Sequence, residues 1–279
     1  MSTTFSARLA ARVRATGTPL CVGIDPWPER LPGDGPVAAR AAAFGRAVVA
    51  ACAGRVPAVK PQFAFFEALG PDGMRALAHV CADARDAGLV VVADAKRGDI
   101  GSTAAAYAAA TLGPDAPFPS DALTVSPFLG PDTLEPFLDA ADAHGRGVFV
   151  LYRTSNAGSA RWQAPVSADL AAWLTEAGAR RAGPDGLSNV GAVVGATHPD
   201  ALAQARDALP HAWLLVPGFG AQGASAADTR AAGRADGLGA LVVSARAATF
   251  PKSGFSDDPE RDIRGLVDAT IAALAAAWA

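Results

Sequence analysis

Eight short apolar runs recur along the chain at intervals of roughly 30 residues, the length of one strand–helix unit. Each run is almost entirely apolar rather than alternating, which is typical of strands buried on both faces of a parallel sheet. The predicted strands are Leu20–Asp25, Val56–Lys60, Leu89–Asp94, Ala122–Ser126, Val148–Tyr152, Val190–Gly195, Trp213–Val216 and Ala240–Ser244. Eight such units in 279 residues predict an α/β fold, a (β/α)8 TIM barrel. An open doubly wound sheet is the alternative.

The segments between these runs have helical spacing and recognisable ends. Gly145 stands where a left-handed cap would end one helix, and Ser167 is expected to be the N-cap of another. An extra N-terminal helix carrying Phe5, Leu9 and Val13 is expected to close the bottom of the barrel.

No Pro/Gly/Ser-rich linker divides the chain, so residues 1–279 are predicted to form a single domain. The longest interval between predicted strands separates the fifth from the sixth. It predicts an insertion after strand 5, around Asn156–Asn189.

Composition excludes several classes of protein. The net charge is -3 and no cluster of Lys and Arg occurs, so no nucleic-acid partner is expected. The N-terminus lacks a signal-peptide core, and the uncharged run Ala269–Ala279 has about half the length of a membrane span, so no membrane partner is expected. The four histidines form no HxH or HExxH pattern, which argues against a zinc site. Scattered cysteines without a CxxC pair indicate reduced thiols in a cytoplasmic protein; they are Cys21, Cys52 and Cys81.

Lysine is rare in this chain. Only three of the 24 basic residues are Lys, namely Lys60, Lys96 and Lys252. Two of these three fall at the ends of predicted strands, and in a barrel the chemistry lies at the carboxyl ends of the strands. Other polar residues that end or follow predicted strands are Asp25, Asp94, Asp99, Thr154, Ser155, Gln222 and Arg246. Any one of them could be a helix cap or a loop ion pair, but their coincidence across five strands favours an active site.

The segment Asp94–Ile100 is the densest in charge. On an extended strand end, Asp94 and Lys96 would project to the same side. Asp99 falls near the start of the helix that holds Thr103, where it could simply cap the helix. A Lys that alternates with carboxylates keeps its proton, which suits a proton donor to a carbanion better than a Schiff-base nucleophile.

The loop Gly218–Gly223 after the seventh run has the GxGxxG spacing. A dinucleotide site would place this motif at the first strand and an acidic residue about 20 positions later, where this chain has Val242–Ser244. A TIM-barrel phosphate site is built from the loops after strands seven and eight, and Arg246 follows strand eight. The phosphate interpretation is therefore favoured, with a plain glycine-rich turn as the third alternative.

The stretch DAKRGDIGST resembles the D-x-K-x-x-D signature of the orotidine 5′-phosphate decarboxylase family, in its longer bacterial subtype. This element by itself does not identify the family, because related barrel enzymes share it. The resemblance extends over most of the chain and includes, in order, VGIDPWPERLP, VKPQFAFFE, LYRTSNAGS, VPGFGAQG and VVSARAATFP. The ordered set is far more specific than any one motif.

The resemblance implies decarboxylation of orotidine 5′-monophosphate (OMP) to UMP and CO2 in de novo pyrimidine biosynthesis, without a metal or organic cofactor. It implies that Lys60, Asp94, Lys96 and Asp99 form an alternating charged network and that Lys96 protonates the C6 carbanion. It further implies a homodimer in which Asp99 and Thr103 enter the partner's site.

The same resemblance implies the substrate contacts. Asp25 would bind the ribose hydroxyls, Ser155 the pyrimidine, and Gln222 and Arg246 the phosphate. The chain departs from many relatives at three positions, where Ala replaces Gly or Pro: Ala157, Ala224 and Ala245. Ala can replace Gly in a phosphate-binding loop provided that its φ stays negative.

Two other functions fit a barrel of this kind. A sugar-phosphate aldolase or epimerase would use the same phosphate loop, normally with a divalent metal. A nucleotide-binding regulatory barrel without catalysis is the non-enzyme alternative, and the intact set of Lys60, Asp94, Lys96 and Asp99 argues against it.

Overall fold

Eight parallel strands close into a barrel in the computed structural model, which describes residues 4–196, 199–220 and 223–278. Each strand pairs with its neighbour in the sequence, and β8 pairs with β1, for example Leu20 with Val242. The strands are β1 (Leu20–Ile24), β2 (Ala58–Pro61), β3 (Val90–Arg97), β4 (Ala122–Val125), β5 (Gly147–Arg153), β6 (Val190–Val194), β7 (Leu214–Pro217) and β8 (Ala240–Ser244). The predicted TIM barrel is confirmed, and the open doubly wound sheet is wrong because the first and last strands are hydrogen-bonded.

Helices surround this sheet, so that every strand is buried on both faces. They are α1 (Phe5–Thr16), α2 (Val37–Cys52), α3 (Phe63–Glu67), α4 (Gly70–Asp86), α5 (Gly101–Leu112), α6 (Glu135–His144), α7 (Ser159–Gln163), α8 (Ser167–Ala179), α9 (Pro199–Ala208), α10 (Ala226–Arg230), α11 (Arg246–Thr249) and α12 (Pro259–Trp278). Apolar side chains that face outward from the sheet, such as Leu123 and Val125, join those of the helices in one core, as expected for doubly covered strands. Within the described residues, no helix has the length and apolarity that crossing a membrane requires.

Helix α1 closes the bottom of the barrel, as the sequence predicts. Phe5 and Leu9 are buried among the side chains of the barrel interior, where the ring of Phe5 meets that of Phe149 edge-on at 5.9 Å. A Cβ on Gly147 would lie 2.3 Å from the Phe5 ring, so the first residue of β5 must be glycine for the helix to pack this closely.

A buried ion cluster joins α1 to the bottom of the sheet. Asp121, just before β4, accepts hydrogen bonds from Arg8 at 2.9 Å and from Arg146 at 2.8 Å through Oδ1. Its Oδ2 accepts the backbone N–H of Val91 at 3.0 Å. The cluster therefore ties a helix, a loop and two strands together.

The helix ends agree with the sequence in one case and differ in another. Gly145 ends α6 in the left-handed conformation, with φ 62° and ψ 33°, as predicted. The prediction that Ser167 is an N-cap is wrong by one position: Val166 precedes α8, and the Ser167 hydroxyl donates to the carbonyl of Ala164. The short helix α7 ends in a turn that leads directly into α8, so no extended residue separates them.

The insertion after strand 5 is smaller than its sequence interval indicates. Helix α8 packs against β5 and β6 and is therefore the regular helix of the fifth strand–helix unit. The additional parts are α7 and the segment after α8, which is held by an antiparallel bridge between Ala182 and Ser188.

Candidate active site

A cavity of about 540 Å³ lies at the carboxyl ends of the strands. Every strand contributes to it, either through its own side chains or, for β1, through Asp25 directly after it, because parallel strands bring their carboxyl ends to one rim. Its walls are apolar where Leu151, Val193, Leu215 and Val243 line it, and charged elsewhere. The charged and polar lining residues include Asp25, Lys60, Gln62, Asp94, Lys96, Thr124, Ser155 and Arg246.

Asp94 is the centre of the charged group. Its Oδ2 accepts from Lys60 Nζ at 2.6 Å and from Gln62 Nε2 at 2.8 Å. Its Oδ1 accepts from Lys96 Nζ at 2.5 Å and from the hydroxyl of Thr124 at 3.2 Å. The carboxylate is thus held by four donors from three strands and has little freedom to rotate.

The charges of this group reinforce one another. Burial by itself raises the pKa of Asp94, but the ammonium groups of Lys60 and Lys96 outweigh it and hold that pKa well below its ordinary value. Burial lowers the pKa of Lys60, yet the carboxylates of Asp94 and Asp25 more than reverse this and the pKa is raised. Asp94 and Lys60 therefore remain ionised throughout the neutral pH range.

Lys96 combines exposure with an unusual backbone. Its side chain is 46% exposed, against 6% for Lys60, so its ammonium faces the open cavity while it contacts Asp94. Its φ is 48°, so the extended geometry that the sequence suggests for Asp94 and Lys96 is wrong. The two side chains do meet, but through an irregular strand end rather than through regular alternation.

Asp25 has an unfilled acceptor beside the lysines. Its Oδ1 is buried and has no hydrogen-bond partner within the described structure. Burial raises the pKa of Asp25, and the nearby charge of Lys60 opposes that effect. A buried acceptor without a donor costs free energy, which a ligand hydroxyl could recover.

Arg246 lines the same cavity, at the start of α11. Its guanidinium lies over the ring of Trp27, 5.6 Å from the centroid.

Gly218 and Gly220 of the glycine-rich loop both have positive φ. Gln222 lies outside the described residues. Ala224 and Ala245 have no positive φ, which meets the condition under which Ala can replace Gly there.

Ser155 also lines the cavity, at the end of β5. A Cβ on Gly195 would lie 2.8 Å from Ser155, so this glycine lets the serine segment pack closely against β6. Ala157, where relatives often have Pro, follows in the same loop and lines a neighbouring small cavity.

Of the predicted site residues that the structure describes, Asp99 and Thr103 are the two that do not line the cavity of their own chain. Asp99 Oδ1 accepts the backbone N–H of Ile100 at 2.8 Å, and Thr103 is exposed on the first turn of α5. Asp99 is not the N-cap of α5 either, because Ile100 occupies that position and no side chain caps the helix.

Several lining residues were not anticipated from the sequence, among them Trp27, Gln62 and Thr124. The sequence does contain a signal for Thr124, because it is the one polar residue in β4 (Ala122–Val125). Its two neighbours, Leu123 and Val125, are apolar and face outward from the sheet, so Thr124 faces inward at the end of the strand. Among the described residues, no group of three His, Cys, Asp or Glu could hold a metal ion.

A closed barrel with a charged cavity at the carboxyl ends of its strands is the architecture of a TIM-barrel enzyme. The chain belongs to the orotidine 5′-phosphate decarboxylase / HUMPS family, whose model matches residues 18–249. The resemblance found in the sequence is thereby confirmed, and with it the enzyme class, a decarboxylase and hence a carbon–carbon lyase.

Individual relatives agree with the family match. The chain is 49% identical to the orotidine 5′-phosphate decarboxylase of Rhodopirellula baltica over 268 residues, which cover 88% of each chain. It is 46% identical to that of Deinococcus radiodurans over 254 residues, covering 90% of this chain and 91% of the relative. The structure of Leishmania donovani OMP decarboxylase matches with a TM-score of 0.77 at 33% identity, covering 99% of both chains.

Proposed function

We propose that this chain decarboxylates OMP to UMP and CO2 in pyrimidine biosynthesis, without a cofactor, and that residues 1–279 act as one barrel domain. The observation that carries the proposal is the row Lys60–Asp94–Lys96 in the cavity, with hydrogen bonds of 2.6 Å and 2.5 Å. We assign the reaction to the cytoplasm, since the three cysteines are free and buried.

The reaction presents one main physical difficulty. When the bond between pyrimidine C6 and the carboxylate breaks, CO2 leaves and the electron pair stays on C6, where no adjacent group accepts it. A fixed positive charge beside C6 stabilises that carbanion without any reorganisation of solvent. The Lys96 ammonium supplies this charge and then gives its proton to C6, which forms UMP and leaves a neutral amine. The exposure of Lys96 lets water restore the proton.

Asp94 holds Lys96 in place and is itself held by Lys60. Asp94 accepts from both lysines, so its two oxygens fix the distance between the two ammonium groups. Three basic side chains, those of Lys60, Lys96 and Arg246, line the cavity against the two carboxylates of Asp94 and Asp25, so the cavity has an excess of positive charge that attracts an anionic substrate.

Other residues of the site bind the parts of the nucleotide that do not react. We assign the ribose hydroxyls to the unpartnered Oδ1 of Asp25, the pyrimidine to Ser155 and the phosphate to Arg246. We also assign the phosphate to Gln222, which lies outside the described residues, on the resemblance alone. A guanidinium binds a phosphate dianion through two parallel hydrogen bonds. Binding energy from the phosphate then positions C6 against Lys96.

The decisive experiment follows the loss of orotate absorbance when purified protein is mixed with OMP, with and without EDTA. We expect turnover to UMP that is unchanged by EDTA. Turnover that EDTA abolishes would contradict cofactor-free catalysis. The absence of both turnover and binding of OMP would favour the aldolase or epimerase alternative. Binding of OMP without turnover would favour a regulatory barrel.

We further propose a homodimer in which Asp99 and Thr103 complete the partner's site. Both lie outside the cavity of their own chain, and the surface around them carries exposed apolar side chains: Ile100 is 64% and Phe128 81% exposed. Tyr107, one helical turn beyond Thr103, is also exposed. An apolar surface of this kind suits contact with a second copy.

Mixed dimers test this assignment. We expect Lys96→Ala and Asp99→Ala each to inactivate the enzyme, but a hybrid of the two contains one site with both native residues. We expect partial recovery of activity on mixing, once subunit exchange has been verified by mass spectrometry. Exchange without recovery would contradict the crossing of Asp99 into the partner's site.

A further inference from the structure

The hydroxyl of Thr124 lies at the centre of the segment that carries Asp94 and Lys96. Its Oγ1 accepts the backbone N–H of Ala95 at 3.1 Å and that of Lys96 at 2.9 Å. It lies 3.2 Å from Asp94 Oδ1 and 3.4 Å from the carbonyl of Ala93, the two acceptors available to its proton. A hydroxyl has one proton and two lone pairs, so these contacts use its full capacity.

These hydrogen bonds replace a missing part of the sheet. Ala93 pairs with Leu123 and Arg97 pairs with Val125, so four steps along β3 correspond to two steps along β4. The two amides in the resulting bulge have lost their regular ladder partners, and the Thr124 hydroxyl accepts both. Bulges beside active sites redirect side chains, and this one redirects Lys96.

The bulge holds Lys96 in a conformation that its own backbone disfavours. Lys96 is the one non-glycine residue with positive φ in the part of the chain that the structure describes. Such a conformation persists only where surrounding contacts enforce it. The hydrogen bond from the Lys96 amide to Thr124 is such a contact, and the same turn brings Lys96 Nζ to Asp94.

We propose that Thr124 is a positioning residue for the proton donor: its hydroxyl fixes the left-handed backbone of Lys96 and orients Asp94, and so aims the ammonium at the substrate. The inference rests on the proposed function, in which Lys96 protonates C6. Thr124 itself acts through Lys96 and Asp94 rather than on the reacting carbon.

Two substitutions separate the hydroxyl from the shape of the side chain. Thr124→Val keeps the volume and removes the hydrogen bonds, whereas Thr124→Ser keeps the hydroxyl. We expect Thr124→Val to lower kcat by roughly 10- to 100-fold, with KM within about threefold, because hydrogen bonds to charged groups have effects of this order on a rate. Thr124→Ser should retain most of kcat. Thr270→Val is the control, since the buried Thr270 donates only to its own helix, at Leu266.

A crystal structure of Thr124→Val supplies a readout that does not depend on activity. We expect Lys96 to leave the left-handed region and its Nζ to move away from Asp94. If Thr124→Val does not fold, Thr124→Cys serves instead, because a thiol is a weak donor and acceptor.

Three results would overturn the inference: an unchanged Lys96 backbone, a wild-type kcat in Thr124→Val, or equal loss of kcat in the Val and Ser variants. If the wild-type protein does not decarboxylate OMP, the proposed function fails, while the crystal structure still decides the role of Thr124.

Discussion

The barrel has a buried carboxylate between two cations at each of its ends. At the bottom, Asp121 lies between Arg8 and Arg146. At the top, Asp94 lies between two lysines. Both carboxylates are 9% exposed in their side chains, so burial of the acid does not distinguish the two clusters.

What differs is how the surrounding groups are used. At the bottom, Asp121 also accepts a backbone N–H, and Arg8 also donates to the carbonyl of Gly145 at 3.0 Å, under the cover of α1. At the top, Lys96 is about half exposed and Asp25 Oδ1 has no partner within the described structure. The bottom cluster connects parts of the fold, and the top cluster leaves charged groups available to a ligand.

The choice of cation follows the same division. An arginine presents a planar fork that can bridge a carboxylate and a backbone carbonyl, as Arg8 does. A lysine is a compact point charge that can lose a proton to a substrate. Only three of the 24 basic residues of the chain are lysines, and two of these three form ion pairs with Asp94. This use of lysine favours a catalytic role for the top cluster.

The largest expected effect belongs to Lys96→Ala. We expect kcat for OMP to fall roughly 10⁴-fold, because the substitution removes both the proposed proton donor and the positive charge that we assign beside C6. UMP binding, measured by calorimetry, should survive, and thermal stability should change little since the side chain is half exposed. Lys252→Ala, at an exposed lysine outside the cavity, is the matched control. Near-normal turnover in Lys96→Ala would contradict the assignment of Lys96 as the proton donor.

Asp121→Ala should have the opposite profile. It leaves Arg146, whose side chain is 12% exposed, without its carboxylate, and breaking a buried ion pair typically costs about 3 kcal/mol or more. We expect the free energy of unfolding in urea to fall by about 3 kcal/mol, with kcat of the folded protein unchanged. Asp268→Ala, which breaks an exposed pair with Arg55, should change stability by less than about 1 kcal/mol. A large loss of kcat in Asp121→Ala would mean that the two ends are coupled.

The barrel is predictable from the sequence because doubly buried strands are continuous apolar runs, and their number and spacing leave few alternatives. Most of the cavity is predictable too, because polar residues at strand ends must meet on one rim. The bulge at Lys96 is not predictable, since it depends on the pairing of β3 with a hydroxyl from β4, far away in the sequence. The position of Gln62 in the site is not predictable either, because its hydrogen-bond partner Asp94 lies on the next strand.

The two acids of the top cluster should respond to pH in opposite directions. The pKa of Asp94 is lowered, so it contributes stability above the ordinary carboxyl range that is lost as pH falls. The pKa of Asp25 is raised by folding. Its ionisation therefore costs stability as pH rises from the carboxyl pKa of the unfolded chain, about 3.9, through the pKa of Asp25 in the folded protein. Relative to wild type, we expect Asp25→Asn to gain stability as pH rises above about 3.9. The stability deficit of Asp94→Asn should be complete above that pH and should shrink as pH falls below it, as measured by urea unfolding between about pH 2 and pH 8. Parallel changes in the two variants would contradict the opposite shifts.

The smallest effect expected is that of Arg8→Ala, and it tests whether Asp121 depends on both arginines equally. Arg8 is 29% exposed, so water screens its pair with Asp121, and Arg146 and the amide of Val91 still bind the carboxylate after its removal. We expect a loss of about 1 kcal/mol in the free energy of unfolding and no change in kcat. Arg14→Ala is the control on the same helix, since its pair with Asp185 is more exposed and should contribute less. A loss in Arg8→Ala as large as that in Asp121→Ala would show that α1 is held to the barrel by this one arginine, rather than by Phe5 and Leu9 packed inside it.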